Sequence, residues 1–141
     1  MTYRTLSDIA AKLKSVDIAM LVTKTGADGK IAARPMSNNG DVSAEDGTTY
    51  HFATDDGRID DDLRRSSECG ATYSGGEFYC AVQGTGTIIR DRATHEQHWV
   101  KDLEKWFDQG LDTEGLILIE VSPARIDWWE GREQGEITVN G

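Results

Sequence analysis

The sequence predicts a β-rich α+β domain whose sheet curls toward a barrel, and three observations carry that expectation. About seven short apolar or alternating segments of strand length lie between turn signals, while only two or three stretches have helical spacing. The longest strand places Gly84 and Gly86 on its apolar face, where a missing side chain permits a sharp bend or the close approach of another backbone.

Residues Ile9, Leu13 and Val16 recur at helical spacing within 5–16, and Thr5 or Ser7 can cap the first turn beside Asp8. The apolar run 18–23 and the extended pattern 31–36 flank Asp28-Gly29, which predicts a hairpin. Residues 38–47, rich in Asn, Asp, Gly and Ser, form a loop before a third strand at 49–54. A short helix follows at 60–65, with Asp60, Asp61 and Asp62 in its first turn and Arg64 and Arg65 in its last, the order that complements the helix dipole. Residues 69–73 and 78–90 read as strands joined at Gly75-Gly76. In the second, Phe78, Cys80, Val82 and Ile88 alternate with Tyr79, Gln83, Thr85 and Thr87. A helix is expected over 93–107, stopping before Gly110. The run 115–121 is apolar on both faces and so belongs centrally in the sheet, and a last strand at 124–130 follows Pro123. The expectation is one domain with its core at about 6–130 and a C-terminal tail at 131–141.

Fifteen basic residues against 25 acidic ones in 141 give a net charge of -10, which repels nucleic-acid phosphates and anionic membranes. No apolar run approaches the ~20 residues that span a bilayer, and the N-terminus lacks the apolar core of a signal peptide. A cytoplasmic protein with neither nucleic-acid nor membrane partners is expected. With Gly75-Gly76 as the turn, Cys80 would lie opposite Ala71 and diagonally from Cys69, roughly 7–8 Å away, so two reduced thiols are expected.

Arg34 precedes Pro35, which favours an extended backbone at a strand end where its side chain can reach a ligand; the alternative is a surface ion pair. Arg58 has the same alternative, among many aspartates. The aspartate run lacks the alternating ligands of a calcium loop and reads as a solvated helix start, and His95 and His98, three apart, read as a surface pair with no third ligand; no metal site is expected. Trp128 and Trp129 point to opposite faces of a regular strand. No protein acid, base or nucleophile stands out, so catalytic residues are left unassigned.

Ala33-Arg34-Pro35-Met36, then His51-Phe52-Ala53-Thr54-Asp55-Asp56, Gly84-Thr85-Gly86 with Arg90-Asp91-Arg92, Trp106-Phe107 with Gly110, and Ile126-Asp127-Trp128-Trp129-Glu130 occur in an order that resembles the general stress protein 26 family. That family belongs to the pyridoxamine 5'-phosphate oxidase-like superfamily of FMN-binding split β-barrels. The resemblance runs from about residue 6 to 130. It implies a homodimer holding FMN, or alternatively FAD, in a cleft between subunits, with a reduced nicotinamide as a candidate electron donor. The carried-over cofactor positions are Arg34, Pro35, Met36, Thr54, Gly57 and Arg58, and Trp129 aligns with the family's Tyr-Trp pair. Where the family usually has Ser-Arg-Lys, this chain has Gly57-Arg58-Ile59, two side-chain donors fewer. The resemblance implies a flavoprotein, as a flavin-dependent oxidoreductase of unassigned substrate. The alternative is a non-enzymatic flavin carrier or stress-related binding module with weak or lost FMN binding.

Overall fold

The computed structural model describes residues 4–26, 28–38 and 40–139. Thr5 starts α1 (Leu6–Leu13) with a capping box: its hydroxyl accepts from the Asp8 amide at 3.1 Å, and the Asp8 carboxylate accepts from the Thr5 amide at 2.9 Å. The buried face of α1, Ile9, Ala10 and Leu13, enters the main core with Val82, Ile126 and Trp128.

Seven antiparallel strands form one sheet: β1 (Ile18–Lys24), β2 (Ile31–Ser37), β3 (Thr49–Thr54), β4 (Glu68–Gly75), β5 (Phe78–Ile89), β6 (Leu116–Glu130) and β7 (Glu133–Thr138). They are ordered β2-β1-β4-β5-β6-β3, with β7 also on β6. The hydrogen-bonded ladder stays open between β2 and β3, and a polar seam bridges the gap. His51 of β3 bonds the Ser37 carbonyl of β2 at 3.0 Å and the Thr49 hydroxyl at 3.0 Å, and Tyr73 donates to that same hydroxyl at 3.2 Å. This is the β-rich α+β split barrel expected from the sequence. α2 (Arg58–Arg65) lies between β3 and β4, and α3 (Arg92–His98) lies between β5 and β6.

The glycine expectation holds in detail. Between Gln83 and Gly84 the β5–β6 register slips, so that Gln83 faces Arg125, Gly84 faces Pro123 and Ala124 is the extra residue of a bulge. A Cβ on Gly84 would sit 2.0 Å from the Ser122 carbonyl oxygen, and one on Gly86 3.0 Å from a Leu63 methyl. The bulge absorbs Pro123, so the two strands expected at 115–121 and 124–130 are one continuous strand.

The other differences are local. Residues 133–138, expected as tail, pair with β6, and Gly135 lets the Trp128 indole lie against the β7 backbone. The helix expected over 93–107 ends at His98. Trp99 is extended, a 3-10 turn follows at Lys101–Lys105, and Trp99, Leu103 and Phe107 join Phe52 and Leu118 in a second small core. The β4–β5 turn is Gly76-Glu77, so Cys80 faces Tyr73 rather than Ala71 and Cys69 faces Gly84; both thiols are free.

Candidate functional site

Strand alternation turns Ala19, Leu21 and Thr23 of β1 and Arg34 of β2 toward the barrel interior, beneath α2. One amino nitrogen of Arg34, Nη2, donates to the Thr23 hydroxyl at 2.9 Å and to Asp62 Oδ2 at 3.2 Å. Thr23 donates to the same Asp62 oxygen at 2.9 Å, and Asp62 is only 2% exposed. The other amino nitrogen of Arg34, Nη1, is buried without a partner. Arg34 is thus an ion-pair partner, as its alternative reading held, but of an interior carboxylate rather than a surface one.

Arg90, just beyond β5, repeats the arrangement. It donates to Asp55 Oδ2 at 2.9 Å and to Asp60 Oδ1 at 2.6 Å, while Arg64 approaches the other Asp60 oxygen at 3.2 Å. The hydrogen bond that Arg90 donates to Asp55, with the charge of Asp60 behind it, raises the Arg90 pKa. The aspartate run is therefore not a solvated helix start. Successive helical residues are turned by ~100°, so Asp61 faces water while Asp60 and Asp62 are buried against arginines.

The loop from β3 into α2 holds the remaining carried-over positions. Thr54 donates to Asp56 at 2.6 Å, Gly57 is the N-cap of α2 without a capping side chain, and Arg58 is exposed with no ion pair among the described residues. Ile59 is 4% exposed within the main core, so a lysine there would carry its ammonium inward, away from any ligand at the surface. Met36 is also a core residue, whereas Pro35 is exposed on the outer face of the sheet.

Trp128 and Trp129 do face opposite ways: Trp128 is buried, and Trp129 stands 42% exposed on the outer face opposite Tyr79. The structure does not bring Trp129 to Arg34. Arg34 lies in a cross-sheet row with Leu21, Ala71, Val82 and Ile126, and four strand spacings of ~4.8 Å separate it along the sheet from β6, where Trp129 is a further three residues on.

A groove of about 880 Å³ crosses the outer face of β1, β4, β5 and β6. Val22, Ile31, Pro123 and Val139 give it apolar walls, Gly70 and Gly84 leave backbone at its floor, and Gln83, Thr85 and Ser122 supply polar edges. Its titratable groups are Lys24 and Glu68, which pair with each other, and Cys69, whose thiol is pushed up to about 11 by burial. Thr23 also lines the groove, but its side chain is 1% exposed and turned to the inner face, so the sheet separates the groove from the arginine cluster.

The histidines expected as a surface pair serve separate partners. His95 is buried with Nε2 2.8 Å from the Ile89 carbonyl, and His98 Nδ1 lies 2.6 Å from Asp41 Oδ2 with its ring stacked on Tyr50. No cluster of three or more metal-ligating side chains occurs among the described residues. Sequence reading missed two units, Arg34 with Thr23 and Asp62, and Arg90 with Asp55 and Asp60. A signal was present for Thr23, a lone polar residue on the inward side of an otherwise apolar strand.

The sequence matches the family described as pyridoxamine 5'-phosphate oxidase like over residues 4–140. The chain belongs to that family. Comparison with curated proteins finds no match. Among solved structures, the fold is shared with a protein related to general stress protein 26 from Clostridium acetobutylicum, at 15% identity and TM-score 0.81, over 96% of this chain and 95% of that one. General stress protein 26 of Bacillus anthracis gives 17% identity and TM-score 0.73, over 94% and 98% of the two chains. A heme binding protein from Mycobacterium smegmatis gives 13% identity and TM-score 0.75, over 98% of this chain and 60% of that one.

A bound phosphate wants donors whose charge is not already spent. In this member of the oxidase-like family Arg34, Arg64 and Arg90 are each engaged by carboxylates, Ile59 is core, and Arg58 is the cation left in the loop 54–59. Of that donor set, Arg34 Nη1 and the exposed Arg58 are left without a carboxylate partner among the described residues. The groove, with backbone at its floor and mostly apolar walls, does fit an aromatic ring system.

Proposed function

We propose that the protein is a homodimeric flavin-binding member of the pyridoxamine 5'-phosphate oxidase-like family, with the ring system of an FMN-type flavin seated in the outer-face groove. The groove carries this reading: its volume lies within the roughly 300–1,000 Å³ of small-molecule sites, and apolar walls with a few polar edges suit an isoalloxazine. Met20, Ile31, Tyr79 and Trp129 stand exposed on the same face, and a second copy seated there would cover them. It would also supply an aromatic side chain from a chain other than the one holding Arg34.

When bound, the flavin supplies the hydride or electron chemistry. The groove adds no ready nucleophile, since the Cys69 thiol stays protonated and Lys24 and Glu68 neutralise each other. Its residues would therefore position the ring and exclude water, with a reduced nicotinamide as electron donor if the protein is an enzyme. One relative in fold is described as heme-binding, but a heme wants an axial ligand, and the one residue of a usual ligand type lining the groove is Cys69, whose thiol burial keeps protonated.

Flavin fluorescence titration of the purified protein, with light scattering on the same sample, tests the proposal. The expected result is saturable quenching at one flavin per chain and about twice the 15.6 kDa chain mass. Absorbance that bleaches with a reduced nicotinamide and returns in air would identify an oxidoreductase, and bound flavin that stays oxidised would identify a carrier. A monomer that quenches no flavin would overturn the proposal.

A further inference from the structure

Gln83, Thr85 and Ser122, the uncharged polar side chains of the outer-face groove, stand together on its β5–β6 side. Resting on the flavin reading above, we infer that Gln83 recognises the ring system, its carboxamide pairing with the imide edge of the isoalloxazine. The register of the sheet carries this. Val22 of β1, Gly70 of β4 and Gln83 of β5 lie side by side in one cross-strand row, and Thr85 and Ser122 face each other in the next row of the same face. Gly70 leaves bare backbone between Val22 and Gln83, which stand two strand spacings of ~4.8 Å apart. A fused three-ring system laid across Gly70 therefore reaches from an apolar side chain to a carboxamide, and Ile31 of β2 adds to the apolar end.

Chemistry selects which edge of the ring goes where. The side chains of Gln83, Thr85 and Ser122 have no hydrogen-bond partner among the described residues. Arg125, opposite Gln83 on β6, is held by Asp127 and Glu136, and Lys24 is held by Glu68, so no free cation draws the carboxamide away. A carboxamide carries an acceptor and two donors in one plane. The isoalloxazine imide presents N3–H between two carbonyls, so Gln83 can accept from N3–H and donate to the adjacent carbonyl at once, with the Thr85 and Ser122 hydroxyls beside it. The dimethylbenzene edge has neither donor nor acceptor and suits the Val22 and Ile31 side.

Fluorescence titration with riboflavin and with N3-methylriboflavin decides the matter. Methylation removes the imide proton and keeps the rings, so it should weaken binding to the parent protein about tenfold. Gln83→Leu, at an exposed position of the outer face, should lose about as much affinity for riboflavin and should no longer distinguish the two ligands. Gln83→Glu keeps an acceptor for N3–H and should go on distinguishing them. Equal affinity of the parent for both ligands, a Gln83→Leu protein that still prefers riboflavin, or a Gln83→Glu protein indifferent to methylation would each overturn the assignment while leaving flavin binding intact. If neither ligand binds the parent, the flavin reading and this inference fall together.

Discussion

The cluster beneath α2 and the outer face of the sheet differ in what completes them. Beneath α2 each buried acid has its counter-charge within the chain, Asp62 in Arg34 and Asp60 in Arg64 and Arg90. On the outer face Met20, Ile31, Tyr79 and Trp129 remain 38–69% exposed around an apolar groove. Polar groups satisfied inside the chain hold the fold, whereas apolar surface left uncovered is where another molecule adds energy. The contrast means that an arginine carried over from a family pattern has a structural partner of its own here, the Asp62 carboxylate.

The largest effect should come from breaking the interior pair. Arg34→Met leaves Asp62 buried without its cation and should lower stability by about 3–5 kcal/mol in urea denaturation. Arg34→Met combined with Asp62→Leu should recover most of that loss, since neither charge is then stranded. Simple additivity of the two losses would show that the residues do not act as a pair.

A smaller effect concerns the seam that spans the barrel opening. Burial pushes the His51 pKa below its ordinary 6.5, only partly opposed by the bond to the Ser37 carbonyl. Below that pH the unfolded chain takes up a proton that the folded one refuses. Stability should therefore be full above pH 6.5 and fall beneath it by up to about 1.4 kcal/mol per pH unit. Urea midpoints at pH 7.5 and 5.5 measure the slope, and His51→Gln should flatten it. A slope of the same size in that variant would assign the effect to other groups.

The smallest effect on folding, within about 0.5–1 kcal/mol, is expected for Ile31→Ser and Trp129→Ser, because both side chains face water in the single chain. The same changes should shift the sedimentation mass toward one chain. A folding loss as large as that of Arg34→Met would erase the distinction between the two regions.

Much of the architecture was legible because periodicity and turn chemistry are local. The capping box at Thr5, the alternation along β5 and the glycines at its bend all stand where the sequence put them. β6 was divided in reading because Pro123 cannot donate to a ladder, and the remedy, a bulge opposite Gly84, belongs to the pairing of two strands. β7 was missed because Glu133–Thr138 carries one large apolar residue, Ile137, and is a strand by virtue of lying on β6. The candidate site was less legible for a related reason. Asp62 sits in a run of three aspartates, and only the packing of α2 on β1 and β2 selects it, rather than Asp61, to meet Arg34 and Thr23.

The unbroken length of β6 also fixes how the molecule breathes. β5 runs along one side of it from end to end, while β3 and then β7 share the other side, so amides along both halves of β6 are sheltered by ladders to left and right. Exchange of those amides with solvent deuterium requires opening of the whole sheet, whereas β2, bonded along one side only, can release its outer amides by local fraying. Protection should thus decline in steps from β6 through β5, β4 and β1 to β2, which makes the strand bearing Ile31 and Pro35 the first to loosen on that side of the sheet and the first there to be steadied by anything that settles on it.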